Sequence, residues 1–307
     1  MTHKKIFFLL LTIYSKNIVA RRAIDQKETK ETVKIYTMPQ QHKKNAPLVF
    51  SWETNKDPKK LKKEFYTQIK TSLKEMTEKQ LRTTANLALG LNWHEDALRY
   101  LERLASKTKN LVTAKNLKLE IADINFDRGA LKKAAEEYNN FLTLYPGDKH
   151  AEYAQYKSIL SNYYTIPTES DRDQSATHTT IKLADQFLIK SSTYKHYNQQ
   201  VTDLRLNCYE KLFNHESTVF DYYLAQNKPK AAETRLCALR KNYSTVLPKK
   251  EAETLFMEYR LAQKTNDTER STHALNLLAQ KFPQTEITRT AFAQNNTLNK
   301  KDYVVVF

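Results

Sequence analysis

Apolar positions recur at helical spacing between about residues 80 and 285, in segments that come in pairs separated by short polar turns. The clearest pair lies mid-chain. Its first segment ends near Asp127 and carries Ile121 and Ala122, Gly129 falls in the turn, and a second segment starts near Leu131. That second segment carries Ala134, Tyr138 and Phe141 on one face. Pro146 ends it, because proline donates no N–H and restricts the preceding Tyr145. Small Ala122 and Ala134 let the two helices approach closely, and Tyr138 and Phe141 fill the groove towards the next pair.

The layout repeats. Upstream are Ala85, Ala88, Ala97, Leu101 and Leu104, with a turn at Asn92–His94. Downstream are Leu255, Tyr259, Ala262, Leu275, Leu278 and Pro283, with a turn at Asn266–Asp267. The Tyr-Pro at 145–146 and the Phe-Pro at 282–283 are 137 residues apart, close to four periods of about 34. Two less regular units fill the interval. One pairs 151–164 with 175–189 across a long loop, and the other pairs 200–226 with 229–241, with Pro229 in the first turn where proline is favoured. The expected fold is all-α, a tetratricopeptide-type helix-turn-helix solenoid of about five repeats over residues 57–290. A single pair cannot bury its own apolar stripe, so stacking supplies the core and leaves a concave binding face. The pattern Leu61, Phe65, Ile69, Leu73 predicts one further helix from near Lys59.

Composition agrees with helices. Only 3 Gly and 8 Pro occur, too little glycine for many sheet turns or phosphate-cradling loops. The first twenty residues have the layout of a secretory signal: basic His3, Lys4 and Lys5, an apolar run over 6–14, and a polar stretch ending in Ala20. Residues 21–56 are expected to be a disordered basic linker, and 291–307 a C-terminal tail. The formal charge of +16 is uneven: residues 1–80 hold 18 Lys/Arg against 8 Asp/Glu, a net +10. Runs such as Lys59, Lys60, Lys62 and Lys63 read as a solvated face, which disfavours nucleic acid as a partner of the repeats. Cys208 and Cys237 are the only cysteines; a single disulfide is open, and two buried helix-face thiols are expected.

Catalytic motifs are absent: no H-E-x-x-H, G-x-S-x-G, Walker loop or G-x-G-x-x-G occurs. His215–Glu216 has no second histidine at helical spacing, and Asp171 and Asp173 flank Arg172 without the pattern of a calcium loop. Asp173 reads as the cap of the helix starting near Ser175. No enzyme activity, metal or cofactor is expected.

The irregular middle carries the specific signal: SDRDQSAT at 170–177 after an extended loop, CYEKLFNHESTVFDYY at 208–223, and KPKAAETRL at 228–236. The DRD loop, the Y-E-x-L with E-x-x-V and a Tyr pair, and the A-A-x-x-R together resemble the BamD (YfiO) family over roughly residues 77–285. These are tetratricopeptide lipoproteins of the bacterial β-barrel assembly machinery. The resemblance implies a scaffold at the periplasmic face of the outer membrane, exported by its signal. C-terminal repeats would dock on the last periplasmic domain of BamA, alongside other assembly subunits, and N-terminal repeats would help capture unfolded outer-membrane proteins. Carried onto this chain, it makes Arg235 the candidate salt-bridge partner for BamA, with Tyr222, Tyr223, Arg172 and Asp173 as further partner-binding candidates, the last two rather fixing the loop conformation than touching a partner. Trp93, Tyr100 and Tyr138 are candidates for a groove that takes an extended substrate strand.

Two features depart from the family. Members are lipidated on a cysteine directly after the signal, whereas no cysteine precedes Cys208 here. The chain also ends in Tyr-Val-Val-Val-Phe at 303–307, like the targeting strand of a barrel protein, which could add as a strand to a partner or occupy the substrate groove. The alternative reading is another exported tetratricopeptide adaptor that coordinates envelope or cell-division proteins.

Overall fold

The computed structural model describes residues 57–302, with side chains to residue 295. Among them are twelve α-helices, one short 3₁₀ turn and no strand. In order they are α1 (Pro58–Gln68), α2 (Glu78–Gly90), α3 (His94–Lys107), α4 (Leu111–Asp127), α5 (Leu131–Leu144) and α6 (Ala151–Tyr163). Then follow α7 (Ser175–Leu188), α8 (Asn198–Ala225), α9 (Pro229–Tyr243), α10 (Glu251–Lys264), α11 (Thr268–Lys281) and α12 (Glu286–Asp302). Helices α1 to α11 pack chiefly on their neighbours in sequence, α6 also touches α8, and α12 lies against both α10 and α11. Helices α2–α11 thus form five stacked helix-turn-helix pairs, the architecture of a tetratricopeptide-like solenoid, with α1 and α12 at its ends. The expected leader, the linker and the apolar C-terminus at 303–307 lie outside the described residues.

Local chemistry sets the boundaries. Thr77 opens α2 with a capping box: its Oγ1 accepts from Gln80 N at 3.3 Å, and its own N–H donates to Gln80 Oε1 at 2.9 Å. Pro58 and Pro229 each sit in a first turn, where a missing N–H costs nothing. Four of the five hairpins turn on one left-handed residue: Asn92 (φ 58°), Gly129 (φ 78°), Asn227 (φ 56°) and Asn266 (φ 57°). After each, the next N–H reaches back five residues, as in Trp93 N to Ala88 O and Ala130 N to Asn125 O, both 2.9 Å. These are Schellman closures, and asparagine replaces glycine in three of them. Asparagine, which tolerates the left-handed region better than most side chains, thus closes hairpins where glycine is scarce.

The close approaches fall on alanine. Ala85, Ala88, Ala97, Ala122, Ala134, Ala232, Ala262 and Ala274 are all fully buried. Large side chains fill the space between helices, with Tyr138, Phe141, Phe187, Phe213, Phe220 and Tyr259 almost entirely shielded. Three expectations need correction. Helix α1 stops at Gln68, leaving Ile69 as its exposed cap, and Leu73 packs on the core from the following turn. Helix α12 runs through position 290, with Ala291 in the core, so the folded unit continues into the stretch expected to be a tail. Cys237 is exposed on α9, and only Cys208 is buried; both thiols are free. No described helix is long and apolar enough to cross a membrane.

Candidate functional site

The site begins on α8, whose 28 residues are twice the length of most of its neighbours. The third hairpin does not close in a short turn. Its connection over 164–174 folds onto the middle of α8 instead. There His215 Nδ1 meets Ser170 O at 2.5 Å, and the Ser170 and Thr218 hydroxyls are 3.0 Å apart. Within this loop Asp173 Oδ1 accepts from Ser175 Oγ at 2.8 Å and from Ser175 N at 3.3 Å, one position ahead of the cap residue Gln174. Gln174 in turn donates to Arg172 O at 2.9 Å. Asp173 therefore shapes the start of α7, while the Arg172 side chain is exposed.

Between the two residues that hold the loop lies Glu216, which accepts from Arg235 Nη1 of α9 at 3.2 Å. The Arg235 side chain remains 39% exposed while Glu216 orients one of its guanidinium nitrogens. Tyr222 and Tyr223, one turn and a half further along α8, meet edge to face with centroids 5.6 Å apart. Tyr222 is exposed and Tyr223 half-buried. The structure thus brings Arg172, Asp173, Arg235 and the Tyr pair onto elements anchored to one helix. Glu216 and His215 are the residues that sequence reasoning undervalued. Glu216 stands in the E-x-x-V that distinguished this stretch, which was the available signal.

Below this lies a denser charge network. Arg270 of α11 makes a two-pronged contact with Glu233 of α9, at 2.5 and 2.9 Å, and its Nε reaches Glu258 of α10 at 3.0 Å. Arg240 of α9 also binds Glu258. The Arg270 contact holds the Glu233 carboxyl below the usual range. Arg260 of α10 reaches back to Asp221 of α8 at 2.6 Å. The fourth and fifth helix pairs are thereby tied through α8, α9, α10 and α11.

The N-terminal candidates have a different character. Tyr100 and Tyr138 are 3% and 0% exposed, inside the packing, and offer no surface to a strand. Tyr138 donates to Asp123 Oδ1 at 2.5 Å, and Tyr153 donates to the same oxygen at 2.8 Å. Burial pushes the Asp123 carboxyl up to about 6, against the pull of the nearby Lys157. Of the three expected groove residues only Trp93 is partly accessible, its ring edge-on to Phe65 at 5.2 Å. Among the described residues no three His, Cys, Asp or Glu side chains converge as a metal site.

A family model for YfiO, described as outer membrane lipoprotein, matches residues 74–275. The chain belongs to the YfiO family. The match to this family, also named BamD, runs from just ahead of α2 into α11 and includes the long loop, α8 and α9. No curated protein matches the chain. A solved structure of PilW, a widely conserved type IV pilus biogenesis factor, is similar at 12% identity, covering 77% of this chain and 91% of that one with a TM-score of 0.26. YfiO membership makes the chain part of an outer membrane lipoprotein family associated with the barrel-assembly machinery.

Proposed function

We propose that this YfiO-family chain is a non-catalytic scaffold of the outer-membrane β-barrel assembly machinery. In this reading it works at the periplasmic face of the outer membrane and is exported by its leader. The C-terminal repeats dock on the last periplasmic domain of BamA, and the N-terminal repeats help capture unfolded outer-membrane proteins. The observation that carries the reading is Arg235. It lies in the A-A-x-x-R within the family match, oriented by Glu216 and still partly exposed. A guanidinium so held has already lost part of its rotamer freedom, so pairing with a partner carboxylate costs less ordering.

The test is recovery of BamA from detergent-solubilised native membranes with the tagged full chain. Arg235→Glu is expected to lower recovery at least tenfold, with Arg235→Met intermediate and helicity unchanged. Failure of the wild type to recover BamA, or an Arg235→Glu variant that recovers it equally well, refutes the proposal. Recovery of cell-division or envelope coordinators in its place favours the adaptor alternative.

A further inference from the structure

Helix α1 buries one side only. Leu61 and Phe65 enter the core at 3% exposure each. The opposite side presents Lys59, Lys62, Lys63 and Tyr66 at i, i+3, i+4 and i+7, all exposed. Lys60, Lys70 and Lys74 flank them, also exposed. Over residues 58–74 six lysines face a single acid, Glu64. Lys62 leans over the Trp93 ring at 5.9 Å, and among the described residues none of these lysines has a carboxylate partner of the kind that holds Lys115, Lys250 and Lys281 elsewhere. Amid this charge are exposed aromatic and apolar groups: Tyr66 at 56% and Ile69 at 38%, with Tyr66 against Trp93 at 6.4 Å between centroids.

A purely solvated face has no use for a half-exposed Tyr–Trp pair and an isoleucine. A face meant for nucleic acid would be expected to continue its charge along the repeats, yet residues 81–307 carry only a net +6. Lysines around an amphipathic aromatic pair on one helix side match an anionic bilayer surface, where ammonium groups meet phosphates and Tyr and Trp rings sit at headgroup depth. We infer that the outer side of α1, centred on Lys59, Lys62, Lys63 and Tyr66, is a contact surface for anionic phospholipid. It sets the N-terminal end of the solenoid against the membrane. The inference rests on membership of an outer membrane family and not on BamA docking.

The experiment uses the full chain in a Trp52→Phe background, leaving Trp93 as the only tryptophan, with vesicles of phosphatidylethanolamine and brominated phosphatidylglycerol. The lipid quenches Trp93 emission only when α1 lies on the bilayer, whatever the leader does. Each lysine at an anionic surface changes affinity by about fivefold, less when screened. Replacing Lys59, Lys60, Lys62 and Lys63 by Gln should therefore weaken the quenching-detected affinity by about fiftyfold or more. The same charge change at exposed Lys228, Lys230, Lys241 and Lys249 should shift it by less than about threefold. Tyr66→Ser should reduce the depth of quenching while vesicles still sediment the protein. Quenching that survives the four-lysine variant, equal weakening by the distal set, or equal quenching by neutral brominated phosphatidylcholine overturns the inference. So does a polyanion such as heparin binding through the same lysines while vesicles do not.

Discussion

Glu120 lies inside the first repeat interface with 1% of its side chain exposed, and both its oxygens are 2.7 Å from Arg82 Nη1 of α2. Desolvation raises its pKa above the ordinary glutamate value despite the arginine. Arg82→Met removes the charge and keeps most of the aliphatic stem, leaving a buried carboxylate without its counterion. Breaking a buried pair in this way costs about 3–5 kcal/mol. Arg82 is 31% exposed, which admits some water, so the lower end, about 3 kcal/mol, applies here. The sign with pH follows. A folded-state pKa above the unfolded one means that stability falls as pH rises through that window, and removing Arg82 raises the folded value further. The penalty should therefore be small near about pH 4.5 and larger at about pH 8. Urea unfolding followed by circular dichroism at both pH values measures it, and Arg82→Met/Glu120→Gln should recover more than half of the loss. A penalty under 1 kcal/mol, or one equal at both pH values, would refute the claim that this contact compensates a buried charge.

The other predictions are briefer. Phe141→Ala should cost about 3–5 kcal/mol, because the ring is fully shielded between repeats; a urea-unfolding loss well below 1 kcal/mol would remove it from the inter-repeat wedge. Asp123→Asn keeps an acceptor for Tyr138 and Tyr153 and removes the desolvated charge. The wild type should lose up to about 3 kcal/mol as pH rises from about 4 to about 6, and the variant should be flatter over that range in pH-dependent melts. Arg270→Met should loosen α9, α10 and α11 together, seen as faster amide exchange across all three helices; faster exchange confined to α11 would show that the network does not couple them.

Much of the fold was legible because its periodicity is local. The turns at Asn92 and Asn266 and the hairpin at Gly129 announce themselves by a small or amide residue after an apolar run, and those residues occupy the left-handed region as the chemistry requires. Helix α1 was overextended because Ile69 and Leu73 fit the spacing, whereas spacing alone cannot say which face the next helix covers. The same ambiguity misled the choice of groove residues. Tyr100 and Tyr138 are aromatic on a helical face, and only packing shows that they point inward. At the other end Arg235 was visible by motif. Its partner Glu216 and the Ser170–His215 contact join positions 19 and 45 apart, separations at which no periodic signal survives.

A solenoid held only by neighbour contacts should peel under tension one hairpin at a time. Helix α8 alters that in its middle. Within seven residues His215 and Thr218 grip the loop of the third pair, Glu216 grips α9, and Asp221 grips α10. A force applied to the C-terminal end would meet a splice rather than a zip. The last three pairs should give way in one large step and the first two in small ones, so a load borne at the C-terminal end reaches the loop of the third pair before any single hairpin opens.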